Sequence, residues 1–169
     1  MTEMAGFETD RMRVVPCSGL DRATVIGALG EILTPDVLLH LPDPLQLGEG
    51  DGATAVWLDA RLAESDVYCI QKREGDAVIG VLILASFEEE AGMVTHIGYL
   101  FGKTAWGHGY ASEMMRGLVL WRRALNTGEQ LLGGVEAGNP ASARVLEKAG
   151  FTPVAEMSDA ETTMFGLAL

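Results

Sequence analysis

The order of apolar patterns along this chain predicts an α/β (α+β) fold, with a mixed central β-sheet flanked by helices. Two observations carry that prediction. Runs with strand period and runs with helical period follow one another along all 169 residues. Three of the strand runs, 67–72, 77–87 and 93–101, also succeed each other through short turns rich in Gly, Glu and Asp, so they pair as antiparallel neighbours before helices resume.

Residues 12–16 read as a short strand. Residues 21–33 follow as a helix, because Val25, Ile26, Leu29, Ile32 and Leu33 recur at helical spacing and Asp21 is suited to cap it. Residues 34–52 carry Pro35, Pro42, Pro44, Gly48 and Gly50, a long connection with at most a helical turn over 36–40. Loops of that length are more often functional than idle. Helical spacing returns over 53–64, where Val56, Trp57, Ala60 and Leu62 are available for burial. Strands 67–72 and 77–87 join at Glu74-Gly75-Asp76, and Glu88-Glu89-Glu90-Ala91-Gly92 reads as an exposed, solvated turn before strand 93–101. Residues 110–125 put Met114, Leu118 and Trp121 on one helical face, and Asn126-Thr127-Gly128 ends that helix. Strand 131–137, helix 140–149 and strands 151–157 and 162–169 complete the order. No repeat, low-complexity tract or linker interrupts it, so residues 1–169 are expected to form a single domain.

Composition excludes several classes of function. A chain that is 48% hydrophobic can fill a core at this length, yet its longest apolar runs are strand length and far short of a membrane span. The acidic N-terminus lacks the basic start of a signal peptide, so a cytoplasmic protein is expected. A formal net charge of −12 with no basic run argues against nucleic acid as a partner. Cys17 and Cys69 have no metal-ligand spacing and cannot form a framework; they are expected as reduced thiols packed near strands. The three scattered histidines, His40, His96 and His108, imply no metal site.

The chemistry concentrates further along. Ile97-Gly98-Tyr99-Leu100-Phe101 ends a strand, Trp106-Gly107-His108-Gly109-Tyr110-Ala111 turns into a helix, and Asn139 to Phe151 spells a capped helix ending at Gly-Phe. Glycines at 107 and 109 let backbone approach an anion, and the first turn of the following helix offers unpaired N–H groups and the positive end of its dipole. That arrangement can hold a pyrophosphate. A Gly-x-Gly turn by itself also serves ordinary strand-to-helix connections, so the joint pattern matters more than the turn. Asn139-Pro140 is explained by capping alone, with Pro at the first helical position. Ser142 could equally be a polar residue of that helix's first turn.

Over residues 93–156 the chain closely resembles the GNAT family of N-acetyltransferases, particularly the branch of ribosomal-protein N-terminal acetyltransferases. The matching positions are Ile97 to Tyr99, Trp106 to Ala111 with Glu113, and Asn139, Ser142, Lys148, Gly150 and Phe151. The run from Phe7 to Val15 weakly resembles the family's opening strand, and 34–60 matches nothing in it. Trp106 stands where the family usually has Arg or Gln.

The resemblance implies a sheet splayed in a V, with acetyl-CoA as cosubstrate and no metal. Pantetheine would add to backbone near Leu100 and Phe101, and the pyrophosphate would meet Trp106, Gly107, His108, Gly109, Tyr110 and Ala111. Asn139 would bond pantetheine, and Ser142 would contact the cofactor and donate to the leaving sulfur. His96 holds the place of a Glu that helps deprotonate the amine in related enzymes; an imidazole, titrating near ~6.5, could accept that proton, or it could be structural. The acceptor would be a primary amine, either a peptide N-terminus or a small molecule, and related enzymes are often homodimers. A module that binds acetyl-CoA without catalysis stays open, whereas phosphoryl transfer is disfavoured by the missing Gly-Lys-Ser/Thr sequence.

Overall fold

The structure, a computed structural model, describes residues 5–169. In chain order its elements are β1 (Phe7–Glu8), β2 (Met12–Pro16), α1 (Arg22–Ile32), α2 (Pro35–Leu38), α3 (Ala53–Glu64), β3 (Asp66–Lys72), β4 (Val78–Glu89), β5 (Gly92–Phe101), α4 (Tyr110–Ala124), β6 (Gln130–Glu136), α5 (Pro140–Lys148), β7 (Thr152–Pro153) and β8 (Thr162–Ala168). The strands form one eight-stranded sheet in the order β1-β2-β3-β4-β5-β6-β8-β7. It is mixed because β5 and β6 run parallel, in register from Val94↔Gln130 to Ile97↔Gly133, while β6 and β8 are antiparallel. A parallel pair needs a crossover, and α4 supplies it.

The chain divides into two compact units. One runs up to Ile83 and takes in Tyr99–His108; the other joins Leu84–Gly98 to Gly109–Leu169. In the first, Val25, Leu29 and Ile32 of α1 and Trp57 and Leu58 of α3 pack with Cys69, Val81, Ile83 and Leu100 from the strands. Burying each large apolar side chain contributes roughly 1.5–3 kcal/mol. Asp21 caps α1 as expected, its Oδ2 accepting from the Thr24 N–H at 3.0 Å. Cys17 and Cys69 are free, buried thiols in this core, and the Cys69 sulfur together with burial pushes the Cys17 thiol well above its ordinary range.

Segment 34–52 is tied down by side chains that satisfy its carbonyls. Trp57 Nε1 donates to Leu45 O at 2.9 Å, Arg61 Nη1 donates to Pro44 O, and Gln46 Nε2 donates to both Leu38 O and Leu41 O. This explains why Arg61 of α3 is buried while Val56 is 69% exposed, the reverse of what apolar spacing alone suggests.

In the second unit, Met114, Met115 and Leu118 of α4 and Leu146 of α5 are buried along with Leu131, Leu132 and Val135 of β6. Arg122 takes a buried place on α4 and Trp121 is only half-buried, because Arg122 pairs with buried Glu129. Two further boundaries differ from expectation. Strand β4 runs through Glu88 and Glu89, since pairing with β5 carries polar residues to the hairpin tip. The strand expected over 151–157 stops at Pro153, which has no N–H for a ladder, and the chain continues as a 3-10 turn at Ala155–Met157.

Candidate active site

In the first unit, the end of β5 is fixed by its own neighbours. The Gly102 N–H donates to Ile79 O at 2.9 Å, and the Trp106 indole N–H donates to Phe101 O at 2.9 Å. Both sides of the Phe101–Gly102 peptide are therefore engaged. Gly80 lies so close that a Cβ built on it would fall 2.6 Å from Leu100 O. Trp106 thus acts as a brace, a role its position in the motif did not reveal. Its ring meets His40 edge-on at 6.2 Å between centroids, and Lys103 Nζ donates to Asp36 Oδ2 at 2.6 Å. Segment 34–52 is thereby connected to the residues that lead into the turn.

That turn is exposed, and both its glycines have left-handed backbone, Gly107 at φ 76° and Gly109 at φ 78°. His108 sits between them, and its carbonyl accepts from Arg11 Nη1 at 2.9 Å. Gly109 is the N-cap of α4 and provides no side-chain cap, so the first N–H groups of that helix are not met by its own cap residue. Tyr110 and Ala111, both half-buried, form the first turn.

The second unit carries the remaining candidates. Asn139 is half-buried at the N-cap of α5, and its Oδ1 accepts from the Ser142 N–H at 3.3 Å. Pro140 occupies the first helical position, and Ser142 is half-buried in the first turn. The capping reading of Asn139 therefore holds.

His96 is half-buried on β5 opposite Leu132 of β6. The Phe87 ring of β4, 54% exposed, stands edge-on to it at 6.0 Å between centroids. Thr95, immediately before His96, points to the other face into a buried polar cluster. Its hydroxyl donates to Glu129 Oε2 at 2.5 Å, while Arg122 donates to both Glu129 oxygens at 2.6 and 2.8 Å. Burial alone would raise the Glu129 carboxyl, but the Arg122 and Thr95 hydrogen bonds and the Arg122 charge hold it below the usual range. The cluster fixes the β5 backbone beside His96.

Among the described residues no group of three or more His, Cys, Asp or Glu side chains is placed to hold a metal ion, and no helix is long and apolar enough to cross a membrane. Sequence reading missed Arg11 and the Asp36–Lys103 and His40–Trp106 contacts, because partners far apart in the chain leave no local pattern.

Residues 16–152 match the acetyltransferase (GNAT) domain. A Bacillus subtilis protein, the uncharacterised YkkB, is 29% identical over 151 residues, covering 84% of this chain and 82% of its own. The RimL ribosomal L7/L12 α-N-protein acetyltransferase, solved with coenzyme A, shares the fold at a TM-score of 0.72, with 14% identity over 99% of this chain and 98% of its own. The microcin C7 self-immunity acetyltransferase MccE, solved with acetyl-CoA and AMP, does so at 0.72 with 12% identity over the same shares. The strand order, the glycine turn that opens α4 and the domain match converge: the chain belongs to the GNAT acetyltransferase family.

Proposed function

We propose that this acetyltransferase moves an acetyl group from acetyl-CoA directly to a primary amine, with a protein N-terminal α-amine as its acceptor. The observation that carries the reading is the turn Gly107-His108-Gly109, whose two left-handed glycines open α4 without a side-chain cap. Backbone N–H groups and the helix dipole then meet a pyrophosphate. Structural neighbours solved with acetyl-CoA and with coenzyme A support the donor.

The residues proposed to bind the cofactor are Leu100, Phe101, Trp106, Gly107, His108, Gly109, Tyr110, Ala111, Asn139 and Ser142. With Phe101 O already an acceptor for the indole, Trp106 presets the strand end that receives pantetheine. In the reaction, the neutral amine nitrogen attacks the thioester carbon, a backbone N–H at the end of β5 stabilises the oxyanion, and the C–S bond breaks as the amide forms. His96 accepts the amine proton, and the Ser142 hydroxyl donates to the departing thiolate.

An α-amine, with pKa ~7.7–8.0, is already partly neutral at pH 7.5, whereas a lysine near ~10.4 is about 0.1% neutral. An α-amine therefore demands less of an imidazole base. The ribosomal-protein branch of the sequence motif and the RimL likeness favour the same acceptor. A small-molecule amine acceptor is the second reading, since a fold shared equally with the microcin C7 self-immunity acetyltransferase does not select a peptide acceptor. A screen of peptides and small amines with acetyl-CoA, read by mass gain, tests both: acetylation at peptide N-termini is expected, and modification of small amines alone replaces the first reading with the second.

A further inference from the structure

We propose that Gly80 of β4 is a positioning residue for acetyl transfer: its missing side chain lets the Leu100–Phe101 peptide of β5 lie where its N–H meets the thioester carbonyl as the oxyanion forms. The proposal deepens the reaction proposed above and rests on its assignment of the oxyanion donor to a backbone N–H at the end of β5.

Three observations lead to it. First, Gly80 stands in the buried part of a strand where a side chain would ordinarily pack, and a strand glycine of that kind marks a close approach of backbone. The approach is to one peptide. A Cβ on Gly80 would lie 2.6 Å from Leu100 O, and 2.9 and 3.2 Å from Cδ1 and Cγ of Phe101. Carbon and carbonyl oxygen ordinarily stay about 3.3–3.6 Å apart, so a methyl group must open the contact by roughly 0.7 Å or more. Second, the chain is tied on either side of the contact. The Gly102 N–H donates to Ile79 O at 2.9 Å, and the Trp106 indole N–H donates to Phe101 O at 2.9 Å. With those atoms held, the Leu100 carbonyl yields by rotating its own peptide plane. Third, that plane is shared. The Leu100 C=O and the Phe101 N–H belong to one planar unit, so tilting the oxygen tilts the donor. An oxyanion donor works when it sits about 2.7–3.1 Å from the place where charge develops. The glycine thus sets the aim of that N–H from the neighbouring strand.

The competing role for Gly80 is to make room for the buried Phe101 ring. Gly80→Ala, Phe101→Leu and the double variant separate the two. Each is assayed for turnover and, by infrared difference spectroscopy, for the carbonyl stretch of bound acetyl-CoA isotope-labelled at the acetyl carbonyl. A positioned donor lowers that stretch relative to free acetyl-CoA. Gly80→Ala is expected to return it toward the free value while kcat falls on the order of tenfold to a hundredfold. The Kd for acetyl-CoA should change only several-fold, since the turn at 107–109 is untouched. Phe101→Leu replaces the flat ring by a branch that can turn away and leaves the overlap with Leu100 O in place, so adding it to Gly80→Ala should restore neither readout. Comparing the double variant with Phe101→Leu also carries the test if Gly80→Ala alone does not fold. A wild-type stretch and kcat in folded Gly80→Ala overturn the proposal. So does recovery of both in the double variant, which is what room for the ring requires. If the wild-type enzyme binds acetyl-CoA with the stretch of the free thioester, the oxyanion donor itself is overturned, and Gly80 with it.

Discussion

Two helices of this protein begin in the same way, at Gly50-Asp51-Gly52 before α3 and at Gly107-His108-Gly109 before α4. Both pairs of glycines have positive φ, and the two N-caps nearly superimpose in dihedral space, Gly52 at φ 78°, ψ 5° and Gly109 at φ 78°, ψ 9°. Neither cap provides a side-chain acceptor. Their charges differ. Glu49 and Asp51 flank and occupy the first turn, whereas the second holds His108, receives Arg11 and has its one nearby acid, Glu113, in the helix beyond it. The backbone that can cradle an anion is thus present twice, and only one copy has surroundings that suit an anion. Shape alone does not make a turn a phosphate site.

Matched substitutions test that contrast. Gly109→Val should raise the Kd for acetyl-CoA on the order of a hundredfold, since a β-branched residue resists left-handed φ and would hinder close approach of a phosphate to the backbone. Gly52→Val faces the same backbone penalty, about 1–2 kcal/mol, with open space around its Cβ. It should lower the melting temperature while acetyl-CoA affinity stays near wild type. If calorimetry finds both variants equally impaired in binding, the distinction drawn between the two turns is wrong.

Smaller effects lie on the catalytic side. His96→Gln should lower turnover about tenfold near neutral pH and remove the ascending limb of the pH–rate curve, more for a lysine-like acceptor than for an α-amine. Superimposable wild-type and variant curves would leave the histidine a sheet residue packed beside Phe87. Ser142→Ala should reduce kcat about fivefold with little change in acetyl-CoA affinity, because the Asn139 cap uses the Ser142 backbone N–H and survives the change. An unaltered kcat in a chemistry-limited assay would remove the serine from the leaving-group step.

The smallest effect concerns stability. Glu129 is held below its unfolded pKa, so its contribution is present in full above the ordinary carboxylate range and is lost as pH falls through the folded value. Melting temperatures measured from neutral to acidic pH should decline accordingly, and Glu129→Gln should flatten that part of the decline.

Local pattern made much of this molecule readable. Apolar spacing located α1, α3 and α4, and Asp21 and Asn139 announced their helices because a cap acts within three residues of itself. What escaped was long-range. Glu88 and Glu89 look like loop until β5 pairs with them, and Arg61 looks solvated until the Pro44 carbonyl needs a donor. Of the candidate site, the glycine turn was legible because it requires particular residue types. Arg11 was not, since only folding brings it to His108.

The two buried thiols have a practical consequence. Acetyl transfer releases a free sulfhydryl on the spent donor, and Cys17 and Cys69 are the chain's only cysteines. Seclusion in the core, with Cys17 pushed far from its thiolate form, should make them slow partners for a disulfide-exchange dye. Colour development in such an assay would then follow product release continuously, with little background from the folded enzyme, and a late rise in signal without substrate would mark unfolding.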